Sequence, residues 1–242
     1  MTALQDIKNE CQSLADPETA RHSQRFFKTG KGEYGEGDIF LGIRVPVIRQ
    51  LAKKYHQLPL NNITSLLKSK YHEQRLLALI MLVNLYKKSD DTTRKTIFDI
   101  YINNFKYINN WDLIDTTTPH IVGAYLFDKD RSLLYEFAAS DNLWKRRMSV
   151  LACFYFIKKN DFNDGLTLAE LLLEDNEDLI HKAVGWMLRE IGKKNYGKTT
   201  SFLDKFAFCM PRTMLRYALE KFPADTRKSY MAMKHRLTAH KS

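Results

Sequence analysis

Residues 109–123 read NNWDLIDTTTPHIVG. Asn109 or Asn110 can cap a helix, because a short polar side chain there accepts from the free amides of the first turn. Leu113, Ile114 and Ile121 supply that helix with an apolar face. Trp111 and Asp115 are four residues apart, so they lie side by side on it. Thr118 and Val122 continue the same strip. No cation shares it, so the pairing of a carboxylate with an indole has no evident structural purpose.

Working outward, helical spacing recurs almost throughout. Segments near 3–15, 17–28, 46–55, 60–69, 72–87, 91–105, 110–127, 130–139, 142–159, 163–173, 176–194, 198–208, 211–221 and 225–238 carry apolar residues at three- and four-residue intervals. No alternating β-branched run with a hairpin turn is found. The joints KSDD, DKDR, ASDN, KNDFND, EDNED and FPADTR are short, and several offer an Asp or Asn cap. Four segments are long and apolar on more than one side: 71–88, 110–127, 141–159 and 177–194. Shorter, more amphipathic helices lie between them. The rough spacing of Trp111, Trp144 and Trp186 fits helix-pair repeats of the HEAT type, roughly 40 residues each. A generic helical bundle is the alternative. No linker divides the chain, which reads as one domain, 1–242.

The totals agree with this. Hydrophobic residues make up 44% of the 242, enough for a real core. Five of the 10 glycines fall between Gly30 and Gly42, so breakers are scarce elsewhere. The net charge of +10 suits a polyanionic partner. Cys11, Cys153 and Cys209 are far apart and form no C-x-x-C, as expected of reduced thiols in a cytosolic chain. The N-terminal stretch reads as an amphipathic helix without a signal-peptide pattern. No apolar run is long enough to span a bilayer. The histidines show no metal-binding spacing, so neither metal nor cofactor is expected.

Two further long helices hold anomalies. Arg147 falls in line with Val150, Leu151 and Phe154, where an unpaired guanidinium would be costly. It needs a carboxylate, a phosphate or a route to solvent; a structural ion pair would also serve. Trp186 lies off the stripe of Ala183, Val184, Met187, Leu188 and Ile191, among Lys182, Arg189 and Lys193. An indole among cations suits nucleic acid; packing against the next repeat is the alternative. If the helices stack in rows, the three anomalies converge on one face.

FLGIRVP (40–46), NWDLID (110–115), SDNLWKRR (140–147), KAVGWMLRE (182–190) and MPRTMLRYALEKFP (210–223) carry a resemblance, over nearly the whole chain, to the AlkD-type DNA alkylation-repair glycosylases. The resemblance implies an all-α fold of HEAT-like helix pairs, stacked into a curved right-handed solenoid with a concave basic face. It implies removal of positively charged purines, such as 3-methyladenine and 7-methylguanine, from double-stranded DNA. By motif position, Asp115, Trp111, Trp186 and Arg147 become the catalytic set, with Arg147 near the DNA backbone. It also implies action without drawing the damaged base into a pocket, against the general rule. The expected partner is duplex DNA carrying alkylated purines, with no membrane and no obligate protein partner, and the chain is expected to be monomeric.

The chemistry suits these residue types. An alkylated purine is already a good leaving group, so negative charge near C1′ matters more than a strong acid. Asp115 supplies it and can orient or deprotonate water. Indole faces attract cationic sugar and base. Arg44, Arg49, Lys182, Arg189, Lys193, Arg212 and Arg216 are further candidates for DNA backbone contacts. One departure stands out: the tyrosine common in the family's N-terminal helix is Phe26 here. The glycine-rich 30–42 stretch lacks a P-loop pattern, and Glu33, Glu36 and Asp38 would repel phosphate. It reads as an ordered connection, with a DNA-facing Tyr34 the alternative. The rival functions are a non-catalytic protein binding bent or branched DNA and a helical scaffold that binds protein.

Overall fold

The computed structural model describes residues 3–233. The chain is all-α, and among these residues the sole β feature is an isolated bridge between Ile39 and Tyr71. The backbone forms two compact units, divided between Ile121 and Val122.

In the first unit, α1 (Ala3–Ser13), α2 (Pro17–Phe26), α3 (Val45–Lys54), α4 (Leu60–Leu67), α5 (His72–Tyr86), α6 (Asp91–Asn103) and α7 (Trp111–Thr118) follow in order. Helix α5 packs against α3, α4, α6 and α7, and α1 covers α4. Apolar residues surround α5, so it is buried on nearly every side. Its first turn, His72-Glu73-Gln74-Arg75, is buried as well. Polar groups so placed must find partners within the protein.

The second unit contains α8 (Ala124–Leu126), α9 (Ser132–Ala138), α10 (Leu143–Lys158), α11 (Asn163–Leu171), α12 (Asp178–Lys194), α13 (Tyr196–Phe206), α14 (Arg212–Ala218) and α15 (Ala224–Ala232). Here α9 pairs with α10, α11 with α12, and α12 with α13. The pairs repeat: α10 lies against α12 and α12 against α14, while α9 lies against α11. The expected stripe of Ala183, Val184, Met187, Leu188 and Ile191 is buried. Helical spacing puts the last helix over 225–238; residues 234–238 of that span lie outside the described residues. No described helix is long and apolar enough to cross a membrane.

Caps arise where Asp and Asn precede helices. Asp16 Oδ1 accepts from Glu18 N and Thr19 N, Asp90 from Thr93 N, and Asn142 from Trp144 N. The helix expected over 110–127 departs from a regular α-helix. Pro119 has no N–H for the carbonyl of Asp115, and its ring crowds that carbonyl. The chain answers with a π turn over Pro119–Gly123.

Two glycines of α12 make contrasting predictions. A Cβ on Gly185 would meet the carbonyl oxygen of Met214 and lie 2.6 Å from Tyr217 Cβ, where α14 comes closest. Overpacking costs about 1–3 kcal/mol, against a helix gain of about 1 kcal/mol for alanine. Because the obstacle is backbone, Gly185→Ala lowers stability. At Gly192 the nearest atom to an added Cβ is Thr199 Oγ1 at 3.4 Å. Gly192→Ala therefore raises stability, by up to about 1 kcal/mol. Urea unfolding midpoints of the two variants, moving in opposite directions, check this.

Candidate functional site

Asn110 is the N-cap of α7, and its Oδ1 accepts from Trp111 N at 2.8 Å. Of the strip Trp111, Asp115, Thr118 and Val122, only the first two are half-exposed; Thr118 and Val122 are buried. Tyr101 of α6 accounts for part of this, since its hydroxyl bonds Thr117 Oγ1 at 2.8 Å and Thr118 Oγ1 at 2.9 Å. Burial, opposed by those two bonds and aided by the charge of Asp115, pushes the Tyr101 hydroxyl up to about 12. Helix α7 is thus bolted down on its threonine side, while Trp111 and Asp115 face outward from it.

The Trp111 ring lies flat on Phe27, 5.1 Å between centroids at 23°, and meets the edge of Phe26 at 5.8 Å. Phe26 is 58% exposed and brings no hydroxyl to this corner. Phe27 stacks in turn on Phe40 at 5.0 Å, and Phe40 on His72 at 4.5 Å. A column of rings therefore leads from the surface indole to a buried imidazole.

His72 is the centre of a cluster that no sequence spacing announces. Its Nε2 is 2.8 Å from Asp112 Oδ2, and its Nδ1 is 3.2 Å from Asp38 Oδ2. Arg75 Nη2 donates to Asp38 Oδ1 at 2.6 Å and to Asn109 Oδ1 at 3.2 Å. Asn109 Nδ2 and Asn110 Nδ2 donate to the two oxygens of Asp38. Two carboxylates thus meet two cations. Burial would lower the pKa of the imidazole, but the charge and hydrogen bond of Asp112, with the bond to Asp38, outweigh it and raise it to about 9. Burial likewise works against the Asp38 carboxylate, yet the His72 bond and the Arg75 charge hold it at about 2.

The 30–42 connection is tied to the same cluster. Glu73 accepts from the backbone amides of Leu41, Gly42 and Ile43. Glu33 and Glu36 cap Gly30 N and Gly32 N, each at 2.8 Å. The glycine-rich stretch is a carboxylate-stapled connection, and Tyr34 is half-buried beside Lys28.

In the second unit, Arg147 is only 4% exposed, so its head does not reach solvent. Its Nη1 donates to the backbone carbonyl of Leu179, near the start of α12. The neighbouring Arg146 binds Asp175 at 2.6 Å and the carbonyls of Ser140 and Asp141 at 2.9 Å. Trp186 is half-buried, its ring tilted on Phe154 of α10 at 5.6 Å. The indole N–H donates to Glu190 Oε1 at 3.1 Å. That carboxylate also pairs with Lys193 at 2.7 Å. Both readings of Trp186 are therefore partly met: it packs on a neighbouring helix and sits among charges.

The remaining candidates fall into two groups. Arg44, Arg49 and Arg216 are exposed. Lys182 pairs with Asp178 at 2.7 Å, Arg189 with Glu220, and Arg212 donates to Met231 O at 2.7 Å. Among the described residues, no group of three or more His, Cys, Asp or Glu side chains is placed to hold a metal ion.

Residues 7–222 match the family model described as DNA alkylation repair enzyme. A solved structure described as a predicted DNA alkylation repair enzyme from Enterococcus faecalis aligns at a TM-score of 0.69 and 18% identity, covering 87% of this chain and 97% of that one. At that identity the likeness shows the fold. The structure of smu.31 from Streptococcus mutans UA159 aligns at a TM-score of 0.49 and 16% identity, covering 96% and 98%. No curated protein matches the sequence.

The buried cluster makes stability depend on pH in both directions. The folded pKa of His72 is raised above 6.5, so its contribution is full below that pH and is lost as pH rises through about 9. The folded pKa of Asp38 is depressed below 3.8, so its contribution is present above that pH and is lost as pH falls through about 2. Removing one partner strands the others, at about 3–5 kcal/mol. Asp38→Asn should therefore lose about 3 kcal/mol or more near neutrality. Urea unfolding of wild type from pH 6 to 10 should show declining stability; a flat profile contradicts the assigned charge on His72.

Proposed function

We propose a reaction for this chain, which belongs to the DNA alkylation repair enzyme family: it hydrolyses the N-glycosidic bond of positively charged N-alkylated purines in duplex DNA. Family membership with Trp111 and Asp115 adjacent on the outward side of α7 is the observation that carries this reading. In the proposed reaction the bond between C1′ and the purine nitrogen breaks, and the base leaves with the electron pair as a neutral molecule. Water adds to C1′ and gives up its proton. Asp115 stabilises the positive charge that grows on the sugar and orients or accepts a proton from that water. Trp111 offers its π face to the same charge. The family resemblance assigns Trp186 an aromatic wall and Arg147 a grip on the DNA backbone; the burial of Arg147 and its bond to the Leu179 carbonyl do not support the second of these.

The cysteines support hydrolysis over transfer of the alkyl group to a thiol. An accepting thiol must be accessible and readily ionised. Cys11 is buried and pushed up to about 11, first by burial and then by the charges of Glu10 and Glu73. Cys153 is buried and its pKa is raised by burial. Cys209 is half-buried, and burial raises it too.

Asp115→Asn tests the assignment. Its single-turnover excision of 7-methylguanine should fall by about 100-fold or more, the scale of losing one preorganised electrostatic group. Its affinity for the same duplex should stay close to that of wild type. Undiminished excision by the variant would refute the role. Wild-type affinity should also weaken steeply with salt, since phosphate contacts release counterions; an affinity insensitive to salt would count against a DNA partner.

A further inference from the structure

The approach to α7 is built from side chains that all lead back to one imidazole. Asn109, Asn110 and Asp112 flank Trp111 in sequence. The two asparagines bond Asp38, and Asp112 bonds His72 directly. The Trp111 ring rests on Phe27, which itself meets His72 at 5.2 Å. Backbone and ring of Trp111 are therefore located by the same buried group, and Asp115 follows one turn later on the same helix. His72 is too deeply buried, at 1% exposed, to meet a substrate.

We propose that His72 is a positioning residue of this site: by donating from both ring nitrogens, to Asp38 and to Asp112, it fixes the first turn of α7 and with it Trp111 and Asp115. This rests on the reading of Trp111 and Asp115 as the reacting pair. A neutral imidazole has one N–H and one lone pair. It can hold one of these carboxylates, and its lone pair then faces the other. Loss of the proton therefore releases either the 30–42 connection or α7. The charged groups facing the ring are Asp38 from that connection, Asp112 from α7 and Arg75 from its own helix. Glu73, beside it in sequence, is engaged by the amides of Leu41, Gly42 and Ile43. Arg75 is bound to Asp38 and to the carbonyls of Ser69 and Lys70, and it has no route to replace His72 at Asp112 without leaving them.

The test reads Trp111 directly. Full-length protein labelled with 5-fluorotryptophan gives one ¹⁹F resonance per tryptophan, assigned by Trp→Phe substitution. In wild type the Trp111 resonance should shift between pH 7 and 10 with a midpoint near 9, and Trp144 should not follow it. His72→Gln should abolish that titration. It should lower single-turnover excision of 7-methylguanine at pH 7.5 at least tenfold, with the dissociation constant for the lesion duplex within twofold of wild type. Asp112→Asn, which leaves the bond between His72 and Asp38, is the milder variant if His72→Gln fails to fold. It should move the midpoint downward and lower the excision rate in the same way. A Trp111 resonance that does not titrate, or titrates identically in both variants, overturns the proposal. So does a variant whose excision rate equals wild type. If wild type excises nothing, the assignment of Trp111 and Asp115 as the reacting pair fails, and the reaction role of His72 fails with it. The fluorine titration then still decides whether His72 orders Trp111.

Discussion

His72 lies between the carboxylates of Asp38 and Asp112, with the Arg75 guanidinium against the far oxygen of Asp38. Two negative and two positive charges close this cluster, out of water, at the head of the most deeply buried helix of the first unit. Its members come from α5, from the glycine-rich connection and from α7, so it joins three pieces of chain that are distant in sequence. Each piece depends on it differently. The connection gains a fixed path, reinforced by Glu73. Helix α7 gains a fixed first turn. The aromatic column from Phe40 to Trp111 gains a floor. A hydrophobic contact could supply cohesion at such a junction, but not the direction that paired hydrogen bonds impose.

Much of the fold is legible in the sequence. Helical spacing locates nearly every helix, because the apolar stripes that face neighbours in the structure are the ones that define the period. The caps at Asp90 and Asn142 are legible for a related reason: a short polar side chain before an apolar run has few other uses. The irregularity after Thr118 is not legible from spacing, although its cause is written in the sequence as Pro119. The helix continues past a proline because the π turn removes the clash, and spacing alone does not say which response a chain will choose.

The site is legible unevenly. Trp111 and Asp115 stand out because a carboxylate beside an indole, on a strip without a cation, is unusual locally. His72 and Arg75 give no such signal. Their carboxylate partners lie 34 to 40 positions away in the chain, and no local spacing announces a contact of that range. One hint is present: HEQR is a run of four polar residues opening a long apolar run, LLALIMLV, and polar groups in that position need partners. The cations of α12 show both cases. Helical spacing already offers Asp178 to Lys182 and Glu190 to Lys193, but Glu220, which pairs with Arg189 from 31 positions away, emerges only with the structure.

An alkylated purine nucleotide offers two bonds whose cleavage removes the damage, the one between alkyl group and base and the one between base and sugar. The proposed reaction breaks the second, because a cationic purine departs readily and a carboxylate beside the sugar is the group that helps it go. The most direct measurement is mass spectrometry of both fractions after wild-type protein has acted on duplex DNA carrying isotopically labelled 7-methylguanine. Intact labelled 7-methylguanine free in solution, with an abasic site in the strand, is the expected result. Unmodified guanine retained in the strand, with the label transferred elsewhere, would contradict it.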